Sequence, residues 1–302
     1  MSQRLQMLQV ARLARRTLGD AADLVVSFLQ ALAEPGGGYC NRGGRPDLYY
    51  TSFALDALVA LDALPVGNAQ AESTRSHLET FGDGHDLDFV HRCCLARAWA
   101  SQPTDALPAE RRAALRVGVE KHRSVDGGYN SRAGAAKGTA YGCFLAMNAC
   151  ADLKQPLSET GPEAERLAGC VSSLRAGDGG WANSADQPEG STTATAAAIA
   201  TLRGLGRRVP AGVAEWLLAR RHPAGGFTAA PDAPIPDLLS TAVALHALDA
   251  MEVPWREHRE SMLDFLDTLW TAEGAFHGSW ADDEPDAEYT FYGLVALGHC
   301  SV

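Results

Sequence analysis

Gly37-Gly38-Tyr39, a polar loop ending at Pro46, then Asp47-Leu48-Tyr49-Tyr50-Thr51-Ser52-Phe53-Ala54-Leu55-Asp56-Ala57-Leu58: this stretch decides the fold, because its pattern returns along the chain. Each copy has a glycine pair, an aromatic, a loop, a polar head residue and an apolar helix. The aromatic comes back as Tyr129, Trp181, Phe227 and Phe276, at steps of roughly 45–52 residues after a first step about twice as long. Gly82-Asp83-Gly84 before Asp86 fills that first gap, so the chain reads as six repeats. A period of this length marks a repeat or ring architecture.

The apolar helices align without gaps. Asp47, Asp237 and Asp286 each have a threonine four residues on (Thr51, Thr241 and Thr290), and Glu189 with Thr193 keeps the same spacing. Asp86 and Lys137 head the two irregular copies. An acid here complements the positive end of a helix, so each of these residues has a plain reading as a helix-start group beside any chemical one.

A second set of helices alternates with the first. Residues 21–33, 107–122, 162–174, 210–221 and 254–270 read as amphipathic outer helices, four of them with a proline near the first turn, where its missing N–H costs nothing. Residues 1–18 read as a basic amphipathic helix, and 64–83 form the least regular segment. The apolar helices, such as 237–251 and 190–202, are hydrophobic on nearly all sides and must be buried. The expectation is an all-α protein with an inner and an outer ring of helices, an (α/α)6 toroid, forming a single domain over residues 1–302 with repeats starting near 21, 66, 107, 161, 209 and 254. An open solenoid is the alternative.

Composition narrows the function. A net charge of −11 argues against nucleic acid and against electrostatic attachment to anionic lipid. No apolar run approaches the ~20 residues that span a bilayer, and Arg4, Arg12, Arg15 and Arg16 interrupt any signal-peptide core, so the expected location is cytoplasmic. Seven irregularly placed cysteines read as reduced, mostly buried thiols.

Across roughly Leu24 to Cys300 the repeat resembles those of the protein prenyltransferase β subunits and of the squalene–hopene and terpenoid cyclases, which share an (α/α)6 toroid. The resemblance implies a greasy central cavity that holds an isoprenoid, with the starts of the inner helices at its mouth. It also implies a test of each family's chemistry. The zinc prenyltransferases place Asp and Cys in the fifth repeat and His in the sixth; here Asp237 is kept, but Leu239 and Tyr289 stand at the Cys and His positions, so no cofactor is expected and zinc least of all. The loop Pro231-Asp232-Ala233-Pro234-Ile235-Pro236 lacks the family's diphosphate-binding cations, leaving Arg42 and Arg45, or Arg132 and Lys137, as anion ligands from another side. The cyclases' Asp-x-Asp-Asp-Thr has no full copy; its nearest forms are Asp86-Leu87-Asp88 and Asp286-Ala287-Glu288. In such a motif the middle acid is kept protonated to attack an alkene.

The candidate acids are therefore Asp237, Asp286, Glu288 and Asp88. Candidate ligand-binding residues are Tyr49, Tyr50, Phe53, Tyr289, Tyr292, Trp280, His277, Arg45 and Lys137, the aromatics shaping an apolar pocket or facing a carbocation with their rings; as single residues the same aromatics also read as core packing. The expected partner is a hydrophobic small molecule, an isoprenoid, with a helical protein partner implied by the prenyltransferases. Two functions follow: an isoprenoid-handling toroid that catalyses prenyl transfer or cyclisation without the usual zinc site, or a non-catalytic binding or scaffold toroid that has lost the active site.

Overall fold

The computed structural model describes residues 2–301. In chain order its α-helices are α1 (Gln3–Leu13), α2 (Arg15–Leu18), α3 (Ala22–Ala31), α4 (Leu48–Ala60), α5 (Ala69–Thr80), α6 (Phe89–Ala100), α7 (Ala109–Glu120), α8 (Ala140–Asp152), α9 (Pro162–Ser173), α10 (Thr192–Gly204), α11 (Val213–Leu218), α12 (Leu238–Ala250), α13 (Arg259–Asp267) and α14 (Ala287–Cys300). Among the described residues β structure is confined to isolated bridges in the repeat loops. No helix among them is long and apolar enough to cross a membrane. The seven cysteines are free thiols, six of them buried.

The contacts gather into two compact units: residues 2–4 with Phe81–Ala219, and Leu5–Thr80 with residues 220–301. In the first, α8 lies between α6 and α10, with α7 and α9 packed on it. In the second, α14 lies between α12 and α4, with α13 against it. The alternation expected from sequence is present: α14 buries nearly every residue, whereas α7 buries only Leu115, Gly118 and Val119. The irregular segment 64–83 holds a full helix, α5. α9 begins on Pro162 and α7 is capped by Pro108, as the sequence pattern implies, whereas α11 begins late at Val213 and α13 at Arg259, because Pro210 and Pro254 lie in the extended approach rather than in the first turn.

Each inner helix starts on a short polar side chain. Asp47, Asp88, Thr139, Ser191, Asp237 and Asp286 are the N-caps, each accepting a backbone N–H two or three residues on. This corrects the expected register of three repeats, whose helices were assigned to Asp86, Lys137 and Glu189 and begin two residues later. The cause is reach: lysine has no acceptor, a glutamate side chain is too long to fold back, and Thr139 and Ser191 are preferred caps.

The corrected register makes the repeat more uniform. Four residues after the caps stand Thr51, Thr195, Thr241 and Thr290, and the third repeat has Cys143. Each accepts the backbone N–H of its repeat aromatic: Tyr39 at 2.9 Å, Trp181 at 2.9 Å, Phe227 at 2.9 Å, Phe276 at 3.3 Å, and Tyr129 on the Cys143 sulfur at 3.3 Å. In the second repeat Arg92 takes the position, its guanidinium donating to the carbonyls of Gly84, Leu87 and Gly118. All five repeat aromatics are at most 1% exposed, so they are core.

The glycine turns receive the next outer helix. At Gly37, with φ +89°, an added Cβ would meet the Ser73 carbonyl and His77 of α5. At Gly225, with φ +94°, it would meet the Ser261 carbonyl of α13, and Gly274 is pressed in the same way by Leu24 of α3. Backbone-to-backbone approach of this kind leaves no room for a side chain.

Candidate functional site

The second unit brings most of the predicted residues together, at the starts of α4, α12 and α14. Asp286, 4% exposed, caps α14 through the Tyr289 N–H at 2.8 Å and takes the Arg42 Nε at 2.8 Å on its other oxygen. The rest of the Arg42 guanidinium holds Asp282 with two bonds of 3.1 and 2.9 Å, and its face lies 5.3 Å from the centre of the Tyr289 ring. Burial pushes the Asp286 carboxyl up, opposed by the Tyr289 N–H and by Arg42. Asp282, partly exposed, is raised by burial but drawn down on balance by Arg42 and the Glu284 N–H together.

Beside this pair the Tyr49 hydroxyl donates to Glu288 Oε1 at 2.7 Å. Tyr49 stacks edgewise on Tyr50 and Phe53 with centroids 5.6 and 5.0 Å apart, and Phe53 meets Phe291 at 5.8 Å and Tyr292 at 5.5 Å. At these tilts the positive edge of one ring meets the negative face of the next. Tyr50 and Tyr289 both stay neutral phenols: burial and the surrounding carboxylates raise Tyr50, and burial pushes Tyr289 up to about 12.

Asp237 caps α12 through the Ser240 N–H at 2.7 Å. It joins the same site through the loop of the sixth repeat, bridging to Ser279, while the Leu238 N–H donates to the Gly278 carbonyl at 2.8 Å. The Tyr289 ring rests directly on Gly278, where any Cβ would collide with it. Burial raises the Asp237 carboxyl; the Ser240 hydroxyl and N–H lower it only in part, and among the described residues no cation pairs with it. His277, in the same loop, donates from Nδ1 to the Ser279 carbonyl at 2.9 Å.

Four predicted residues stand elsewhere. Asp88 and Lys137 lie in the other unit, both exposed. Asp88 has its carboxylate held by the His91 N–H and ring, which lower its pKa despite some burial. Trp280 is 41% exposed and packs on Phe265 and His222, donating to the Thr268 hydroxyl at 2.8 Å. Arg45 is exposed, with its backbone N–H on Asn41. Asp282 was missed: a loop aspartate 240 residues from its arginine carries no local signal. The zinc ligand set does not fit. Leu239 and Tyr289 offer no nitrogen or sulfur beside Asp237, and no group of three or more His, Cys, Asp or Glu among the described residues is arranged to hold a metal.

Comparison with known proteins agrees with this architecture. The profile of the prenyltransferase alpha-alpha toroid domain matches residues 2–86, 122–211 and 207–300. A drimenyl diphosphate synthase of Streptomyces showdoensis is 27% identical over 241 residues, 74% of this chain, and the chain spans only 44% of that relative's length. Among solved structures, a variant of the type II terpene cyclase MstE from Scytonema, in complex with geranylgeranyl dihydroxybenzoate as substrate, superposes with a TM-score of 0.63 at 13% identity over 95% of this chain and 98% of that one. A polysaccharide lyase, BACCELL_00875, superposes with a TM-score of 0.58 at 13% identity over 97% of both chains, so the likeness in shape spans unrelated chemistries. With family matches over most of its length and an all-α repeat structure to carry them, the chain belongs to the prenyltransferase alpha-alpha toroid domain family.

Proposed function

We propose that this protein binds an isoprenoid at the starts of α4, α12 and α14 and catalyses its acid-initiated cyclisation. The observation that carries the reading is the juxtaposition, in one unit, of the ring cluster Tyr49, Tyr50, Phe53, Phe291 and Tyr292 with two carboxyls, Asp286 buried and Asp237 partly accessible, whose pKa values are raised by desolvation. Proton transfer to an alkene needs a carboxylic acid in its neutral form, and burial without full ionic compensation pushes a carboxyl in that direction. The cation then formed is stabilised by ring faces and by the Glu288 carboxylate held on Tyr49. Arg42 is engaged by two carboxylates, which makes a diphosphate-leaving mechanism the less favoured chemistry. The relatives named above, one a diphosphate synthase and one solved with a prenylated benzoate, support the substrate class.

Incubation with farnesyl diphosphate, geranylgeranyl diphosphate and geranylgeranyl dihydroxybenzoate, followed by mass spectrometry of the extracts, tests the reading. Cyclic isomers of a probe are the expected products. Unchanged probes that nevertheless co-elute with the protein would favour the second reading, a binding toroid, for which Leu239 and Tyr289 in place of the metal ligands are the favouring observation.

A further inference from the structure

The cyclase reading leaves open which carboxyl gives the proton, and the surroundings of the four candidate acids differ enough to decide it. Asp88 is exposed and held as a carboxylate by His91. Glu288 accepts the Tyr49 hydroxyl on Oε1, a bond that favours its carboxylate form. Asp286 is deeply buried, yet both its oxygens are taken, one by a helix N–H and one by the Arg42 guanidinium at 2.8 Å. A proton on Asp286 would displace a charge-assisted bond of the stronger kind.

Asp237 occupies the equivalent cap one repeat earlier and has no such partner. Its hydrogen bond is the Ser240 N–H on Oδ1; the Ser240 hydroxyl, itself fully buried, lies beside the carboxyl without a well-aligned bond. Among the described residues no arginine, lysine or histidine pairs with it. The side chain is nonetheless partly accessible rather than sealed, and along α12 the partly accessible residues Leu239, Val243 and His246 continue from it on one face. Its loop neighbours Gly278 and Ser279 carry it to the Tyr289 ring.

We propose that Asp237 is the proton donor of the site, and that Asp286 serves as the ionised partner that fixes Arg42. The inference rests on the cyclase reading. In the step, the Asp237 O–H bond breaks and the alkene π pair forms a C–H bond, leaving a carboxylate and a tertiary carbocation. Ring closure by a second alkene carries the charge along the chain. Loss of a proton to water ends it, and Asp237 is reprotonated from solvent, so substrate and product are isomers. The position is one the zinc enzymes use for a metal ligand; here, with Leu239 beside it in place of a thiol, the same carboxyl has no metal set to join.

The test compares Asp237→Asn, Asp237→Ser and Asp286→Asn. Asn and Ser are good helix caps, so the start of α12 survives both changes. Infrared difference spectra at neutral pH are expected to show a protonated carboxyl in the wild type that vanishes in both Asp237 variants and persists in Asp286→Asn. In the turnover assay the Asp237 variants are expected to lose at least about 100-fold in kcat with KM little changed, the scale of a missing general acid. A carboxyl band that survives in Asp237→Asn, or a kcat within tenfold of wild type in both Asp237 variants, overturns the assignment. A wild type that shows the Asp237 band but converts none of the three probes overturns the cyclase reading and the donor role together, while the band still establishes where the proton sits.

Discussion

Thr241 does two things with one oxygen: it donates to the Asp237 carbonyl at 2.7 Å and accepts the buried Phe227 N–H at 2.9 Å. Replacing it with valine keeps the shape and strands a backbone donor, so Thr241→Val is expected to cost about 1–3 kcal/mol in urea unfolding. Cys143→Thr, which restores the group used by the other repeats, is expected to be nearly neutral. Two titrations of opposite sign belong to this scale. Asp237 has a raised pKa in the folded protein, so its contribution to stability is complete at low pH and is lost as pH rises from its ordinary 3.8 through the folded value; Asp237→Asn should therefore be more stable than wild type at neutral pH. His246 is held down to about 3 by burial and by His299, with which it shares a hydrogen bond of 3.1 Å. The unfolded state binds that proton first, so stability falls as pH drops below about 6.5 toward 3, and His246→Gln should flatten this limb in an acid unfolding series.

The helices were legible in the sequence, and their starts only partly. Apolar residues on all sides of 190–202 and 237–251 compel burial, whatever the neighbours. The caps at Thr139 and Ser191 were hidden because a charged residue stands two positions before each, Lys137 and Glu189, at the spacing from the helix that Asp47 and Asp237 suggest. The site was legible where a residue and its partner share a repeat and illegible where they do not: Tyr49 and Glu288 were both marked, but their bond spans 239 residues and Asp282 stood in no motif. Helix ends carry a prediction of their own. α4, α8 and α12 close on Asp62, Lys154 and Glu252, each with φ between 51° and 59°, a region that a side chain enters at a cost of about 1–2 kcal/mol. α10 uses Gly206 at the corresponding point. Lys154→Gly, at an exposed position, is expected to raise stability by about 1 kcal/mol in the same assay. Gly225→Ala is expected to do the reverse by more, since the Ser261 backbone cannot withdraw.

At the scale of the whole chain, native mass spectrometry with metal analysis on one sample separates the chemistries. The expected result is a co-purifying isoprenoid-sized ligand and no stoichiometric zinc; one zinc per chain would mean that a transfer site has been rebuilt around Asp237 from residues other than Leu239 and Tyr289. Fold and family were readable because six imperfect copies average out their exceptions. The activity was not, because it depends on which of several similar caps has lost its counter-charge, and that is set by side chains from other repeats.

The unit that holds the site is assembled from two segments far apart in sequence: α14 lies against α4, and Leu24 of α3 covers the turn at Gly274. During synthesis residues 5–80 thus emerge long before residues 220–301, against which they pack, whereas Phe81–Ala219 is continuous. The expected consequence is that residues 5–80 call for chaperone protection until residues 220–301 have emerged, and that the site forms only then.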